Sequence, residues 1–250
     1  MNNEYLVSII TPAYNCEKVI SETIESVLSQ TYTNYEMIIV DDCSKDNTVE
    51  VAQKYVLKDS RIRLIQQNKN QGTAVARNTG IENANGRFIA FLDSDDLWKP
   101  TKLEKQIEFM LENNYGFTFT SYEIMRENSE LTGRVFHAPK TIKYIDYLKN
   151  TIIGLLTVVM DRELIGDIYM QHGYLEDVLT WMFYLKSGVT AYGYDENLAS
   201  YRVVKNSKSN NKVRNAKRYF ICLRQQRLPI HKCFYYELCY MFNAVKKRCT

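Results

Sequence analysis
The residues best suited to chemistry are Asp93-Ser94-Asp95-Asp96, which crowd three carboxylates into one short turn. Like charges at that spacing repel, and a divalent cation would relieve the repulsion. Hard oxygen ligands suit Mg2+ or Mn2+. A plainer reading is a solvated acidic turn that caps a helix starting near Pro100. An EF-hand loop is excluded, because Leu97 stands where a third oxygen ligand is needed and Trp98 where glycine is needed. Two further polar clusters stand upstream: Thr11-Pro12-Ala13-Tyr14-Asn15 and Asp41-Asp42-Cys43-Ser44.

The elements around these clusters explain why they would meet. Residues 6–10, 35–40, 61–65 and 88–92 are short apolar runs that read as strands. Between them, residues 20–28, 47–57 and 72–84 carry apolar side chains at helical spacing, the last capped near Thr73. Strand and helix alternate with short connections, which predicts an α/β fold with a mostly parallel central sheet flanked by helices. Ligands of such sheets bind beyond the carboxyl ends of the strands. All three polar clusters end a strand, so they converge on one crevice. No G-x-G-x-x-G follows the first strand and no P-loop motif occurs, which disfavours dinucleotide and P-loop enzymes.

After Pro100 the alternation weakens. Residues 102–111 and 175–185 read as helices and 117–122 and 157–160 as strands, with Asp161 capping a short helix. Residues 127–139 read as a polar loop. Residues 191–204 read as a strand region interrupted at Asp195-Glu196-Asn197, and the basic, Ser/Asn-rich residues 202–215 read as a loop. Near the end, Ile230, Cys233, Phe234, Leu238, Met241, Phe242 and Val245 form one helical stripe flanked by Tyr235, Tyr236 and Tyr240 and closed by Lys246-Lys247-Arg248. Such a stripe either packs on the core or lies in a membrane surface.

The 250 residues are ordinary for a globular protein, with 45% hydrophobic and 24% charged side chains. The net charge of +3 conceals an asymmetry. Residues 202–250 hold thirteen Lys and Arg against the single acid Glu237, a net +12, whereas residues 1–201 carry −9. A basic tail on an acidic body points to an anionic partner. Its aliphatic and aromatic residues at helical spacing favour lipid over nucleic acid. No apolar run of transmembrane length occurs, and Met1-Asn2-Asn3-Glu4-Tyr5 lacks the flank and core of a signal peptide, so a cytoplasmic location is expected. The six cysteines include no C-x-x-C pair, and free thiols follow. The three histidines form no triad pattern.

Taken jointly, Val7-Ser8-Ile9-Ile10-Thr11-Pro12-Ala13-Tyr14-Asn15, Ser26-Val27-Leu28-Ser29-Gln30-Thr31-Tyr32, Ile39-Val40-Asp41-Asp42-Cys43-Ser44-Lys45-Asp46, Ala76-Arg77-Asn78-Thr79-Gly80 and Leu92-Asp93-Ser94-Asp95-Asp96 resemble the inverting family-2 glycosyltransferases of the GT-A fold. Leu175-Glu176-Asp177 with Trp181, and Leu198-Ala199-Ser200-Tyr201-Arg202, match more loosely, and the tail beyond Lys212 is unmatched. The resemblance implies a nucleotide-sugar donor, usually a UDP-sugar, and a divalent metal, Mn2+ or Mg2+. It places Tyr14 against uracil within the donor loop Pro12, Ala13, Tyr14 and Asn15, and Asp42 on the uracil N–H. It makes Asp93 and Asp95 the D-x-D, with Asp95 the direct metal ligand and Asp93, beside Ser94, toward ribose or sugar. Asp96 is left as a helix-start residue and Asp41 as a structural one. Arg77 lies in a donor-side motif, in contact with phosphate or in an ion pair. Asp177 falls at the general base, where the alternative is a simple helix cap. The run Ile153-Gly154-Leu155-Leu156-Thr157-Val158 and the Tyr201-Arg202…Ser207 segment look most like members that build bacterial surface polysaccharide on a polyprenyl diphosphate carrier.

The expected organisation is therefore residues 1–205 as a GT-A unit, with 1–100 a nucleotide-binding half and 101–205 an acceptor half, and residues 206–250 as a basic amphipathic helical tail. The expected activity is inverting transfer of a hexose or N-acetylhexosamine to a lipid-linked saccharide hydroxyl, at the inner face of the cell membrane. The alternatives are a metal-dependent nucleotidyltransferase and a non-catalytic protein that binds anionic surfaces. The first would carry a glycine-rich basic loop where Thr11-Pro12-Ala13-Tyr14-Asn15-Cys16 stands. The second would not respond to UDP and Mn2+.

Overall fold
A computed structural model describes residues 4–204 and 212–249. Segment 205–211 of the expected loop lies outside the described residues, and so do the side chains of 212–213 and 244–249. The latter include Val245 and the Lys246-Lys247-Arg248 end of the stripe. The first hundred residues form β1 (Val7–Ala13), α1 (Ile20–Leu28), β2 (Tyr35–Asp41), α2 (Thr48–Val56), β3 (Ile62–Gln66), α3 (Thr73–Glu82), β4 (Phe88–Phe91) and β5 (Leu97–Trp98). Then follow α4 (Lys102–Asn113), β6 (Phe117–Arg126), β7 (Leu131–Phe136), β8 (Thr141–Ile142), α5 (Tyr144–Lys149), β9 (Val159–Asp161), α6 (Arg162–Ile165), α7 (Glu176–Lys186), β10 (Ala191–Val203), α8 (Lys212–Gln225) and α9 (Ile230–Cys249).

One sheet runs β3-β2-β1-β4-β9-β6-β10-β5, with β7 paired to β6 and β8 to β10. The first four strands are mutually parallel. β9 is inserted antiparallel between β4 and β6, and β10 runs parallel to β6. β1, β2 and β4 are buried along their whole length. Their continuous apolar runs reflect a sheet covered on both faces. Side chains alternate between the covers: Ile10, Ile38 and Val40 join one apolar cluster, and Ile9, Met37 and Ile39 the other. Gly80 lets α3 lie close on β1, where a Cβ would meet Ile10 Cγ2 at 2.7 Å. Register aligns Ala13 with Asp41 and Ile10 with Phe91, so β1, β2 and β4 end side by side.

Several local expectations change. Within residues 127–139, β7 pairs antiparallel with β6 as a hairpin. Its first half is exposed, so it lacks the apolar alternation that marks a half-buried strand. The interruption at Asp195-Glu196-Asn197 is a pair of register shifts between β10 and β6. Asp161 does cap α6, accepting the Glu163 N–H at 2.9 Å. Within 202–215, β10 extends to Val203 and α8 begins at Lys212. Its Tyr219, Cys222 and Leu223 are buried among Tyr147, Leu148, Val178 and Met182. α9 packs through Cys233 and Tyr236, whereas Ile230, Phe234, Leu238, Met241 and Phe242 are exposed. Cys233 thus leaves the predicted stripe, and its other described members face outward. No helix among the described residues is long and apolar enough to cross a membrane.

Candidate active site
Except for Arg77, which sits within α3, the expected site residues follow from strand ends and a helix start. β1 runs out at Ala13, and Asn15 takes a left-handed φ of 49° that an asparagine tolerates. The Asn15 N–H donates to Ser44 Oγ (2.9 Å) and its Oδ1 accepts the Lys45 N–H (2.7 Å). These bonds lace the loop after β1 to the loop after β2. Tyr14 is left 48% exposed on the lip. Asp42 is buried, and its two carboxylate oxygens accept the N–H groups of Gln71 (2.7 Å) and Gly72 (2.8 Å). Gly72 makes that bend with a φ of 90°. Asp41 accepts the Ser44 N–H at 3.1 Å, a role within the turn itself.

The acidic turn is held from several sides. Thr23 of α1 donates its hydroxyl to the carbonyls of Ser94 and Asp96, both at 2.9 Å. Arg202 of β10 donates Nε to the Asp95 carbonyl (2.6 Å) and its N–H to Asp96 Oδ1 (2.8 Å). Asp96 is therefore no helix-start residue. It is buried, β5 separates it from α4, and burial followed by the charges of Asp95 and Asp93 pushes its carboxyl well up. Asp95 is partly buried, and burial together with the Asp93 charge raises its pKa to about 6. A partly buried carboxylate beside a second one is a donor set for a hard cation. Among the described residues no three His, Cys, Asp or Glu side chains cluster to hold a metal alone. Magnesium-type ions often take only one or two protein carboxylates and complete their shell from a bound diphosphate and water. Asp93 and Asp95 fit that pattern.

Arg77 of α3 is 4% exposed and joins one strand end to a helix start. Its guanidinium reaches Asp93 Oδ1 at 2.6 Å and Glu176 Oε1 at 3.2 Å. Its Nε is buried without an acceptor. Asp177 follows Glu176 in the first turn of α7. Burial, then the Glu176 charge, lifts its pKa to about 6, a value suited to a general base near neutral pH.

Pro12, Ala13, Tyr14, Asn15, Asp42, Arg77, Asp93, Ser94, Asp95 and Asp177 all line one cleft of about 670 Å3. A deeper cavity of about 310 Å3 shares Asp93, Leu155, Asp177 and Tyr201 with it and continues to Tyr122 and Tyr147. Three contributors escaped the sequence reading. Glu176 is Arg77's second partner, and the Glu-Asp doublet at a helix start was its only signal. Arg202 anchors the acidic turn, and a basic residue closing an apolar strand hinted at it. Arg218 reaches the cleft from α8, which lies in the expected helical tail but was not placed against the cleft.

Comparison with known proteins gives the chain's family. The chain is 49% identical over 245 residues to the putative teichuronic acid biosynthesis glycosyltransferase TuaG of Bacillus subtilis, covering 97% of each chain. It is 43% identical to the Escherichia coli UDP-Glc:alpha-D-GlcNAc-diphosphoundecaprenol beta-1,3-glucosyltransferase WfgD, covering 98% of this chain and 96% of that one. The solved mannosyltransferase PcManGT from Pyrobaculum calidifontis, in complex with GDP-Man and Mn2+, superposes with a TM-score of 0.70. That match spans 94% of this chain and 71% of the other at 18% identity, a likeness of fold alone. The profile of Glycosyl transferase family 2 matches residues 8–162, and with these relatives it shows that the chain belongs to that family and has the GT-A fold.

Proposed function
We propose that the chain is an inverting, UDP-sugar-dependent hexosyltransferase that glycosylates a hydroxyl of a polyprenyl-diphosphate-linked saccharide in bacterial surface-polysaccharide synthesis. Family membership and the names of its relatives support glycosyl transfer in this kind of synthesis. The observation that carries the finer reading is the double ion pair of Arg77, which ties Asp93 to the Glu176-Asp177 helix start. One cleft thereby holds a carboxylate pair fit for a metal on one side and a single carboxylate fit for a base on the other.

In this reading Tyr14 stacks on the uracil. Asp42 accepts the base N–H, since each of its oxygens keeps a lone pair beyond the bond it already accepts. Pro12, Ala13 and Asn15 shape the base pocket. Asp95 and Asp93 hold Mn2+ or Mg2+, which when bound offsets the charge developing on the leaving diphosphate. Arg77, with its unused Nε, and Ser94 face the sugar-diphosphate. Asp177 takes the proton from the acceptor hydroxyl as that oxygen bonds to the anomeric carbon from the face opposite the leaving group. A single displacement of this kind inverts the anomeric centre and needs one base, which typically contributes about 10²–10⁴-fold. Residues 1–100 then form the donor half and 101–205 the acceptor half. The 206–250 tail brings the protein to the inner face of the membrane, where a lipid-linked acceptor resides.

A panel of UDP-sugars with Mn2+ and a lipid-linked acceptor tests the reaction. Asp177→Asn should still bind UDP-sugar but lose about 10³-fold or more in transfer. Retained turnover removes Asp177 from the base role, and a wild-type protein inert toward every UDP-sugar sinks the functional reading.

A further inference from the structure
Most of the charged groups on the cleft walls are acidic: Asp42, Asp93, Asp95, Glu127, Glu176 and Asp177. Three arginines face these carboxylates: Arg77, Arg202 and Arg218. Two of them are already engaged. Arg77 is paired with Asp93 and Glu176, and Arg202 with Glu22 at 2.9 Å and with the acidic turn. Arg218 differs. Its guanidinium lies over the ring of Tyr174, 5.3 Å from the centroid, and among the described residues no carboxylate pairs with it. A cleft-lining cation without a counter-charge is a ready receptor for an anion.

Its position narrows which anion. Tyr174 stands three residues before Asp177 in the segment that leads into α7. Arg218 therefore attaches to the segment of the cleft wall that carries the proposed base. In an acceptor whose first sugar bears both the diphosphate and the attacking hydroxyl, one pyranose ring separates the two groups. Whatever holds that diphosphate must flank the base. Arg218 also belongs to α8, which packs against α9 and its outward apolar stripe. The anion receptor and the apolar face thus share one C-terminal helical pair, the order in which diphosphate and lipid follow one another in such an acceptor.

We propose that Arg218 binds the diphosphate of the lipid-linked acceptor and so determines specificity for a diphosphate-linked over a neutral glycoside. This rests on the functional reading above, and its failure is separable from that of the reading. The probes are an N-acetylhexosaminyl diphosphate carrying an undecyl chain, the matching undecyl glycoside without phosphate, and UDP with Mn2+. The wild-type protein should bind the diphosphate probe at least tenfold more tightly than the neutral glycoside. Arg218→Gln should erase most of that preference and leave UDP affinity unchanged, and Arg218→Lys should restore part of it. A preference that survives in Arg218→Gln overturns the assignment. So does a loss that falls on UDP, which would make the anion the donor's diphosphate. An enzyme that transfers from UDP-sugar while ignoring Arg218 substitutions refutes this inference alone.

Discussion
At the scale of single residues, the cleft holds two carboxyls raised above their ordinary range. Asp177 and Asp95 both sit at about 6 against an ordinary 3.8, in each case through burial first and a neighbouring carboxylate second. For a base the sign is simple: only the ionised form accepts a proton, so activity is lost as pH falls through the raised value. We predict that kcat/KM drops tenfold per pH unit below about 6 and levels off above it. Asp95 titrates in the same window, but bound cation favours its ionised form, so its contribution shifts to lower pH as Mn2+ is raised. Asp177's does not. A pH profile at two Mn2+ concentrations separates them, and a flat profile from pH 5 to 8 would count against Asp177. The same shifts act on stability. A folded carboxyl that holds its proton more tightly than the unfolded one stabilises the metal-free fold below its unfolded value, and that contribution fades as pH rises through about 6.

At the scale of elements, Arg202 decides whether the acidic turn keeps its shape. From β10 it reaches the turn after β4, Glu22 of α1, and the β6–β7 hairpin through the Glu127 carbonyl (3.0 Å) and Ser129 Oγ (2.8 Å). Lysine has a single donor head and cannot fork across these acceptors. Arg202→Lys should cost roughly 3 kcal/mol, read from the urea midpoint, because it strands buried polar groups. It should also raise the KM for UDP-sugar, since the Asp95 carbonyl loses its tether. An unchanged midpoint would show that the fork is dispensable. The same elements show what was legible beforehand. The first hundred residues announced themselves because strands buried on both faces read as unbroken apolar runs, and because three polar clusters ended them. β7 did not, since an edge hairpin with exposed Leu131 leaves no period to read. α8 was read only as part of a helical tail, and its start at Lys212 fell inside a presumed loop, because the basic, Ser/Asn-rich stretch there masks the helical spacing of Tyr219, Cys222 and Leu223. Asp96 was misjudged for a different reason: a carboxylate's sequence neighbours do not show that a backbone N–H from residue 202 will bury it.

At the scale of the whole molecule, charge and apolar surface point the same way. Residues 202–250 carry a net +12 against −9 for the rest, and α9 turns Ile230, Phe234, Leu238, Met241 and Phe242 outward at 42–70% exposure. Monomeric proteins rarely leave such a contiguous apolar face open without a partner. The helix is anchored underneath by Cys233 and Tyr236, so the stripe is presented on a fixed frame and need not fold on contact. An anionic bilayer offers both complements: acyl chains for the stripe and headgroups for the lysines and arginines, each worth about 1 kcal/mol near the surface. We predict that the protein cosediments with anionic vesicles at low salt and is released as salt approaches the molar range, where screening is nearly complete. Leu238→Asp combined with Phe242→Glu should abolish sedimentation and raise the apparent KM for vesicle-borne acceptor at least tenfold, with transfer to a water-soluble acceptor unchanged. A protein that ignores anionic vesicles and instead elutes as a dimer disrupted by the same substitutions would assign the face to a second copy of the chain. Loss of transfer to both acceptors would mean that the stripe supports the catalytic cleft, not the approach to the membrane.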